Sequence, residues 1–296
     1  MRLLDRAALR LLDRVRLVVR ATATSSDQGG HRSPALAQGQ EFADHRQYVP
    51  GDDVRRVDWK AFARHRQLVV RQFIEDRDVR VYILVDTSGS MTRGAPAKVE
   101  VAKRIAAAFS YAGTKDFDRV RVLPFSSDMD VTLRAVRSRG EMPGLDAQLA
   151  DAGVGGETKF PEVVRDFARR YPQRGLAIVV SDLMAPDGWE DGLRLLGGLG
   201  HQLVLVRVAC AEDDAPDMRG EVELVDSESG QTVPLRMTPA LIEAYRAEVR
   251  EHVARCREAC RRAGGRSVVA DVSMSSDALV RVLLGGADAG ARERAR

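Results

Sequence analysis

Three short polar segments of the sequence carry side chains that could bind a hard metal ion. The first, Asp86-Thr-Ser-Gly-Ser90, directly follows the apolar run at 79–85, and the second, Ser181-Asp182, follows the apolar run at 176–180. A glycine-bearing loop at 153–159 supplies a threonine between them. In an open α/β sheet, the segments that follow buried parallel strands meet at one edge. We therefore expect five side chains to converge there: Asp86, Ser88, Ser90, Thr158 and Asp182.

This set contains two carboxylates and three hydroxyls, and an all-oxygen set favours Mg²⁺ or Mn²⁺ over zinc. The hydroxyls are neutral, so a bound cation would keep positive charge and could accept an acidic ligand from another molecule. The site therefore suits docking as well as catalysis. A purely structural interpretation also exists, in which Ser and Gly form a turn after the strand and the aspartates cap helices.

The competing functional interpretation is a phosphoryl-transfer or phosphatase-like enzyme, because an aspartate after the first strand could act as a nucleophile beside Mg²⁺. Several motifs that such enzymes need are missing from the sequence. Ser88 stands two residues after Asp86, where a second carboxylate would serve as acid or base. No GxxxxGK[ST] loop or GxGxxG follows a strand, and no GxSxG surrounds Ser88 or Ser90. We therefore expect a binding module without catalytic residues.

The elements that must position these residues alternate between strands and helices from residue 78 onward. Near-continuous apolar runs predict strands, and apolar residues at helical spacing predict helices. The predicted strands are 79–85, 119–125, 131–136, 176–180, 203–208 and 267–272, and the predicted helices are 98–115, 161–171, 189–199, 239–264 and 277–284. This alternation predicts an α/β fold with a doubly wound, mostly parallel sheet. Segments 222–225 and 232–235 interrupt it and predict a late β-hairpin insertion.

The N-terminal part of the chain has a different character. Residues 3–21 have the spacing of a basic amphipathic helix, which could pack its apolar stripe on the parent domain or lie on an anionic membrane surface. Residues 41–78 are dense in charge and aromatic side chains without a clear period. We divide the chain into an N-terminal segment at 1–77, an α/β domain at 78–285 and a flexible tail at 286–296.

Composition excludes several classes of protein. The 46 Lys and Arg nearly balance the 43 Asp and Glu, and a net charge of +3 does not indicate a nucleic-acid binder. No apolar window approaches the roughly 20 residues needed to span a bilayer, and the charged N-terminus does not resemble a signal peptide. The three cysteines form no CxxC pair and the five histidines no zinc spacing, so we expect a reducing, cytoplasmic environment.

The first polar segment also carries a family resemblance. Asp86-Thr-Ser-Gly-Ser90 after a buried strand resembles the DxSxS signature of von Willebrand factor A domains. The resemblance implies a Rossmann-like sheet wrapped by helices and a metal-ion-dependent adhesion site. It implies that Ser88 and Ser90 bind Mg²⁺ directly and that Asp86 acts largely through water. Thr158 and Asp182 match the family's second-loop threonine and third-loop aspartate.

A block upstream narrows this resemblance. Gln40-Glu-Phe42 and the run Arg46-Gln-Tyr-Val-Pro-Gly-Asp-Asp-Val-Arg-Arg-Val-Asp-Trp59-Lys-Ala-Phe-Ala-Arg64 resemble the signature of the bacterial domain of unknown function 58 family, whose members join this block to a von Willebrand A-like domain. The resemblance implies an adaptor for a MoxR-type AAA+ ATPase. Within the block, Arg55, Arg56 and Asp58 could form an internal ion-pair clamp, or they could form a surface for a partner.

Overall fold

The computed structural model describes residues 3–13, 41–49, 57–74, 80–116, 119–185, 187–214, 220–228 and 230–285. The chain forms two compact units. One consists of Ala21–Asp78, and the other consists of Met1–Arg20 together with Val79–Arg296.

The described helices and strands follow one another along the chain. They are α1 (Arg6–Leu12), β1 (Glu41–Gln47), α2 (Trp59–His65), β2 (Val69–Ile74), β3 (Arg80–Asp86), α3 (Lys98–Asp116), β4 (Arg119–Phe125), α4 (Met142–Asp151), α5 (Phe160–Arg170), β5 (Gly175–Ser181), α6 (Trp189–Gly198), β6 (Gln202–Ala209), α7 (Ala211–Asp214), β7 (Gly220–Val225), β8 (Thr232–Met237), α8 (Pro239–Arg262), β9 (Arg266–Asp271) and α9 (Ser276–Gly285). Short 3₁₀ helices lie at Gly89–Thr92 and Arg139–Glu141.

The large unit is built on a five-stranded sheet with the strand order β4-β3-β5-β6-β9. Every neighbouring pair in it is parallel. The chain runs outward from β3 to β4 and then returns to the opposite side of β3 at β5, so the order reverses between β3 and β5. Ligands of open α/β sheets bind at such a switch point, beyond the carboxyl ends of the strands. The predicted doubly wound, mostly parallel α/β fold is confirmed.

Strand β3 shows why the sequence forms this sheet. Val81, Ile83 and Val85 belong to one apolar cluster with the buried face of α3, whereas Tyr82 and Leu84 belong to a second cluster with α5. Successive side chains of a strand point to opposite faces. A strand covered by helices on both faces must therefore be apolar at every position, which explains the near-continuous run.

Helix α1 packs on the α/β unit. Leu4, Ala8 and Leu12 are buried in one cluster with small residues of α3 and with Val280 of α9. Asp5 caps the helix, since its Oδ1 accepts a hydrogen bond of 2.7 Å from Ala8 N. The division of the chain made from the sequence put this helix in the segment 1–77, whereas in the structure it belongs to the larger unit. Of the predicted helix 3–21, the part beyond residue 13 lies outside the described residues.

The predicted strand at 131–136 is wrong. In its place a single bridge joins Val136 to Val120 on the outer edge of β4. Pro124 has no N–H to offer on that edge, and the Thr132 N–H is bound by the Asp130 side chain at 2.8 Å. A ladder along this edge is therefore not sustained, and the chain continues into α4, which the sequence pattern did not predict.

The small unit contains an antiparallel pair of strands, β1 and β2, with α2 between them in the chain. Asp58 is buried, and its Oδ1 accepts a hydrogen bond of 3.0 Å from Ala61 N at the start of α2. Trp59 is exposed and meets Phe62 edge to face. Arg55 and Arg56, the other members of the expected clamp, lie outside the described residues, as does the expected tail at 286–296.

The late hairpin is confirmed as β7 paired antiparallel with β8. Helix α8 follows it with the expected cap, in which Thr238 Oγ1 accepts a hydrogen bond of 3.2 Å from Leu241 N and Pro239 occupies the first turn. Among the described helices, none is long and apolar enough to cross a membrane.

Candidate metal centre

Asp86 is the last residue of β3 and lies at the switch point of the sheet. Its side chain is fully buried, and both carboxylate oxygens accept hydrogen bonds. Ser88 N donates to Oδ1 at 2.9 Å, and Ser181 Oγ, from the end of β5, donates to Oδ2 at 2.5 Å. The two central strands of the sheet therefore hold this carboxylate in one orientation.

The turn after β3 brings the two serines together. Ser88 Oγ and Ser90 Oγ lie 3.1 Å apart, and Ser90 Oγ donates a hydrogen bond of 3.3 Å to Asp182 Oδ1. Asp182 directly follows β5, so a continuous hydrogen-bonded chain crosses the switch point from one strand end to the other. Four of the five predicted residues belong to this chain: Asp86, Ser88, Ser90 and Asp182.

The loop that carries Thr158 lies against the turn after β3. Gly155 N donates to Thr87 O at 2.7 Å, and Gly89 N donates to Gly156 O at 3.0 Å. Gly155 and Gly156 have positive φ, a conformation that favours glycine. These backbone bonds bring the loop beside the other candidate residues. The Thr158 hydroxyl itself donates to Glu228, a residue of the β7–β8 turn.

Asp182 is held by a buried lysine. Lys98, the first residue of α3, places its Nζ 2.6 Å from Asp182 Oδ2 and 3.1 Å from both oxygens of Asp213 in α7. Burial alone would lower the pKa of Lys98, but the two carboxylates outweigh it and raise that pKa. Lys98 therefore stays charged and leaves Asp182 Oδ1 directed to Ser90.

The electrostatics of the site favour a bound cation. Burial raises the pKa of Asp86 to about 7, and the neighbouring charge of Asp182 adds to the rise. Three buried carboxylates, those of Asp86, Asp182 and Asp213, lie near two buried cations, Lys98 and Arg207, the latter paired with Ser181 in the sheet. A divalent cation beside Asp86 would relieve the repulsion between the carboxylates.

The donor set also fits the expected metal. Its ligand atoms are carboxylate and hydroxyl oxygens, which Mg²⁺ and Mn²⁺ accept. Within the described part of the chain, no group of three or more His, Cys, Asp or Glu side chains is arranged to hold a metal ion. The candidate centre therefore depends on its hydroxyls as much as on its two aspartates.

Sequence reasoning missed four residues of this region: Lys98, Ser181, Asp213 and Glu228. Ser181 was named with Asp182 as a polar pair after the apolar run but not as a candidate, although its place as the last residue of β5 could have indicated it. Lys98 is one of only five lysines in an arginine-rich chain, which is a weak signal. Nothing in the local sequence indicates Asp213 or Glu228, because their contacts join residues 115 and 70 positions apart.

This chain is similar in sequence to one described protein family and to uncharacterized mycobacterial proteins. The family model described as "Protein of unknown function DUF58" matches residues 44–255. The uncharacterized protein Rv1480 of Mycobacterium tuberculosis (strain ATCC 25618 / H37Rv) is 31% identical over 271 residues, which cover 84% of this chain and 81% of that protein. The uncharacterized protein Mb1516 of Mycobacterium bovis has the same identity and coverage.

Three solved structures are also similar to it. Conserved hypothetical protein BatB from Bacteroides thetaiotaomicron has a TM-score of 0.42 and 18% identity over 69% of this chain and 97% of its own. An aerotolerance-related membrane protein from Bacteroides fragilis NCTC 9343 has a TM-score of 0.45 and 18% identity over 69% and 96%. The vWF domain of the type V pili tip protein Mfa5 from Porphyromonas gingivalis has a TM-score of 0.31 and 12% identity over 71% and 86%.

The family match extends from the block before the sheet to the middle of α8, and the mycobacterial relatives are similar over most of their length. The family prediction made from the block at 40–64 is thereby confirmed. This chain belongs to the family of proteins of unknown function DUF58, the domain of unknown function 58 family.

Proposed function

We propose that this chain is a metal-dependent protein-interaction module. It holds Mg²⁺ or Mn²⁺ at one centre and binds an acidic side chain of a partner protein there. One observation carries the proposal, namely the hydrogen-bonded chain that runs from Asp86 through the two serines to Asp182 at the switch point. The residues that hold the metal are Asp86, Ser88, Ser90, Thr158 and Asp182.

The residues around the centre have separate roles. Ser181 Oγ and Ser88 N orient the Asp86 carboxylate, and Lys98 orients Asp182. The hydroxyls of Ser88, Ser90 and Thr158 contribute oxygen atoms without adding negative charge. When bound, the cation supplies the positive charge that attracts an acidic ligand. Neutral residues on a partner lack this attraction, so recognition is selective for a carboxylate.

The geometry supports binding over catalysis. Asp86 is fully buried with both oxygens engaged, which does not suit a nucleophile that must meet a phosphoryl group. Lys98 is the nearest basic side chain bonded to the site, but its raised pKa keeps it protonated, so it does not serve as a general base. We therefore do not favour the phosphoryl-transfer alternative with Asp86 as nucleophile.

The partner in this proposal is a MoxR-type AAA+ ATPase, and the module works in the cytoplasm. Both points come from the resemblance to the domain of unknown function 58 family and from the cysteine usage of the sequence. Apolar packing of α1 on α3 and α9 supports a structural role for the start of the N-terminal segment, in place of contact with a membrane surface.

Affinity capture tests the proposal. The tagged full chain is mixed with the MoxR-type ATPase of the same organism in Mg²⁺ or in EDTA, using wild type, Asp86→Ala and the matched surface variant Asp191→Ala. We expect capture by wild type and Asp191→Ala in Mg²⁺, and loss of capture in EDTA or with Asp86→Ala. Capture that survives both EDTA and Asp86→Ala would contradict the proposal.

A further inference from the structure

The turn between β7 and β8 places an acidic side chain against Thr158, one of the candidate ligands of the metal centre. Glu228 Oε1 accepts a hydrogen bond of 3.0 Å from Thr158 Oγ1, and Glu228 Oε2 accepts one of 3.0 Å from Thr158 N. Thr158 is one of the five candidate ligands, and it is only 9% exposed. Both oxygens of the Glu228 carboxylate therefore accept hydrogen bonds from Thr158.

The same turn also lies against the DxSxS segment. A Cβ added to Gly89 would lie only 2.2 Å from Ser227 O, so the backbone of the turn approaches Gly89 as closely as a glycine permits. Gly89 stands between the two serines of the centre. The hairpin turn thus contacts two of the three segments that form the site, the one after β3 and the one that carries Thr158.

The conformation of the turn is set by its own hydrogen bonds. Asp226 Oδ1 accepts from Glu228 N at 2.7 Å, Gln231 O accepts from Asp226 N at 2.8 Å, and Asp226 O accepts from Gly230 N at 2.9 Å. The strands behind the turn are largely exposed, with Val225 and Val233 at 55% and 56%. A preformed turn on an exposed hairpin can leave the site without unfolding the sheet.

The hydrogen bonds between Thr158 and Glu228 leave both side chains able to bind a cation. The Thr158 hydroxyl donates a hydrogen bond to Glu228, so the lone pairs of the Thr158 oxygen stay available. An ionised carboxylate has roughly four acceptor positions, of which Thr158 uses two. Glu228 therefore holds against one candidate ligand, Thr158, the same chemical group that an acidic partner would present.

We propose that Glu228 is an internal carboxylate ligand of the metal centre, and that an acidic side chain of a partner must displace it together with the hairpin turn. This inference rests on the proposed function and concerns the regulation of the same site. The occupant of the centre in the free protein is Glu228. A partner competes with Glu228. The apparent affinity for a partner carboxylate is therefore the intrinsic affinity multiplied by the fraction of molecules in which the hairpin has left the site.

A matched pair of variants of the full chain tests this inference. Glu228→Gln removes the charge of the turn, whereas Glu223→Gln removes the same charge from an exposed position on β7 of the same hairpin. The probes are Mn²⁺ alone, followed by calorimetry, and a hexaglutamate peptide added to the Mn²⁺-loaded protein. Hydrogen exchange at the Thr158 amide, which donates to Glu228 Oε2, reports whether the hairpin leaves the site.

We expect Glu228→Gln to weaken Mn²⁺ binding and to strengthen peptide binding to the Mn²⁺-loaded protein, each by about fivefold or more, the usual range for coupled sites. Glu223→Gln should match wild type in both. In wild type the peptide should speed hydrogen exchange at the Thr158 amide, and in Glu228→Gln this amide should exchange rapidly before any peptide is added.

The contrary results separate this inference from the proposed function. Suppose that wild type binds Mn²⁺, that the double variant Ser88→Ala plus Ser90→Ala does not, and that Glu228→Gln behaves like Glu223→Gln. The proposed function is then supported, and the proposal that Glu228 is an internal ligand is disproved. The same holds if Glu228→Gln lowers only the melting temperature, because Glu228 then merely caps the start of α5. If wild type binds no Mn²⁺, both the proposed function and the internal-ligand proposal are contradicted.

Discussion

Lys98 Nζ lies 2.6 Å from Asp182 Oδ2 and 3.1 Å from Asp213 Oδ2, and the three side chains are exposed by only 1%, 1% and 3%. This buried group connects the start of α3, the segment after β5 and the short helix α7. Buried charges of this kind are tolerated only when they are paired. Lys98 therefore orients Asp182 at the candidate centre together with Met184 N, which donates to Asp182 Oδ1 at 3.1 Å.

Replacing Lys98 should destabilise the fold. Lys98→Met leaves two buried carboxylates without a counter-charge, and we expect the free energy of unfolding to fall by about 3–5 kcal/mol. Lys115→Met, at an exposed position of the same helix, should cost less than about 1 kcal/mol. Urea unfolding in EDTA measures both, and similar small losses for the two variants would argue against the buried group. Adding Asp213→Asn to Lys98→Met should restore part of the loss.

The stability of the metal-free protein should depend on pH through Asp86. Because the pKa of Asp86 is raised to about 7, the folded state holds this proton more tightly than the unfolded state does. The resulting stabilisation is complete below the ordinary pKa of an aspartate and is lost as pH rises through about 7. In EDTA we expect the melting temperature to fall between pH 5 and pH 8, and Asp86→Asn to flatten this slope. Equal slopes for the two proteins would contradict the assignment.

Gly89 should be required for the hairpin turn to reach the site. Gly89→Ala places a Cβ against Ser227 O, so the turn has to move away. We expect faster hydrogen exchange at the amide of Thr158 in this variant, because that amide donates to Glu228 Oε2. Gly153→Ala is the control, since a Cβ there meets no atom within 4 Å. Unchanged exchange in Gly89→Ala would show that the turn does not depend on this close approach.

The cysteines should be inert in the native protein. All three thiols are buried, and burial raises the pKa of Cys210 and Cys256 to about 12 and that of Cys260 to about 11. Iodoacetamide at pH 8 should therefore modify them slowly unless the protein is unfolded in urea. Mass spectrometry follows the reaction. Rapid native labelling that also removes metal binding would place a thiol in the centre.

The sequence could predict the part of the site that is local to strand ends. Asp86 and Asp182 follow apolar runs whose length and continuity identify buried parallel strands, so their meeting follows from the topology. Residues 131–136 misled the prediction because their apolar spacing resembles a strand, whereas Pro124 cannot support a ladder on that edge. The spacing of apolar residues does not report hydrogen-bond donors on a neighbouring strand.

The contact between Glu228 and Thr158 could not be predicted from the sequence. The hairpin itself was predictable from its two short runs and its turn, but a largely exposed hairpin has no apolar face that indicates where its tip lies. Its position is set by backbone packing on Gly89 and by two hydrogen bonds to Thr158. Such contacts depend on tertiary structure and leave no local pattern.

The most direct test of the central claim is a calorimetric Mn²⁺ titration of the purified full chain. It compares wild type with Ser88→Ala plus Ser90→Ala, and with a control that removes two exposed hydroxyls, Ser138→Ala plus Ser273→Ala. We predict saturable binding of one Mn²⁺ by wild type and by the control, and loss of that binding in the first variant. Unchanged Mn²⁺ binding after removal of the Ser88 and Ser90 hydroxyls would contradict the account.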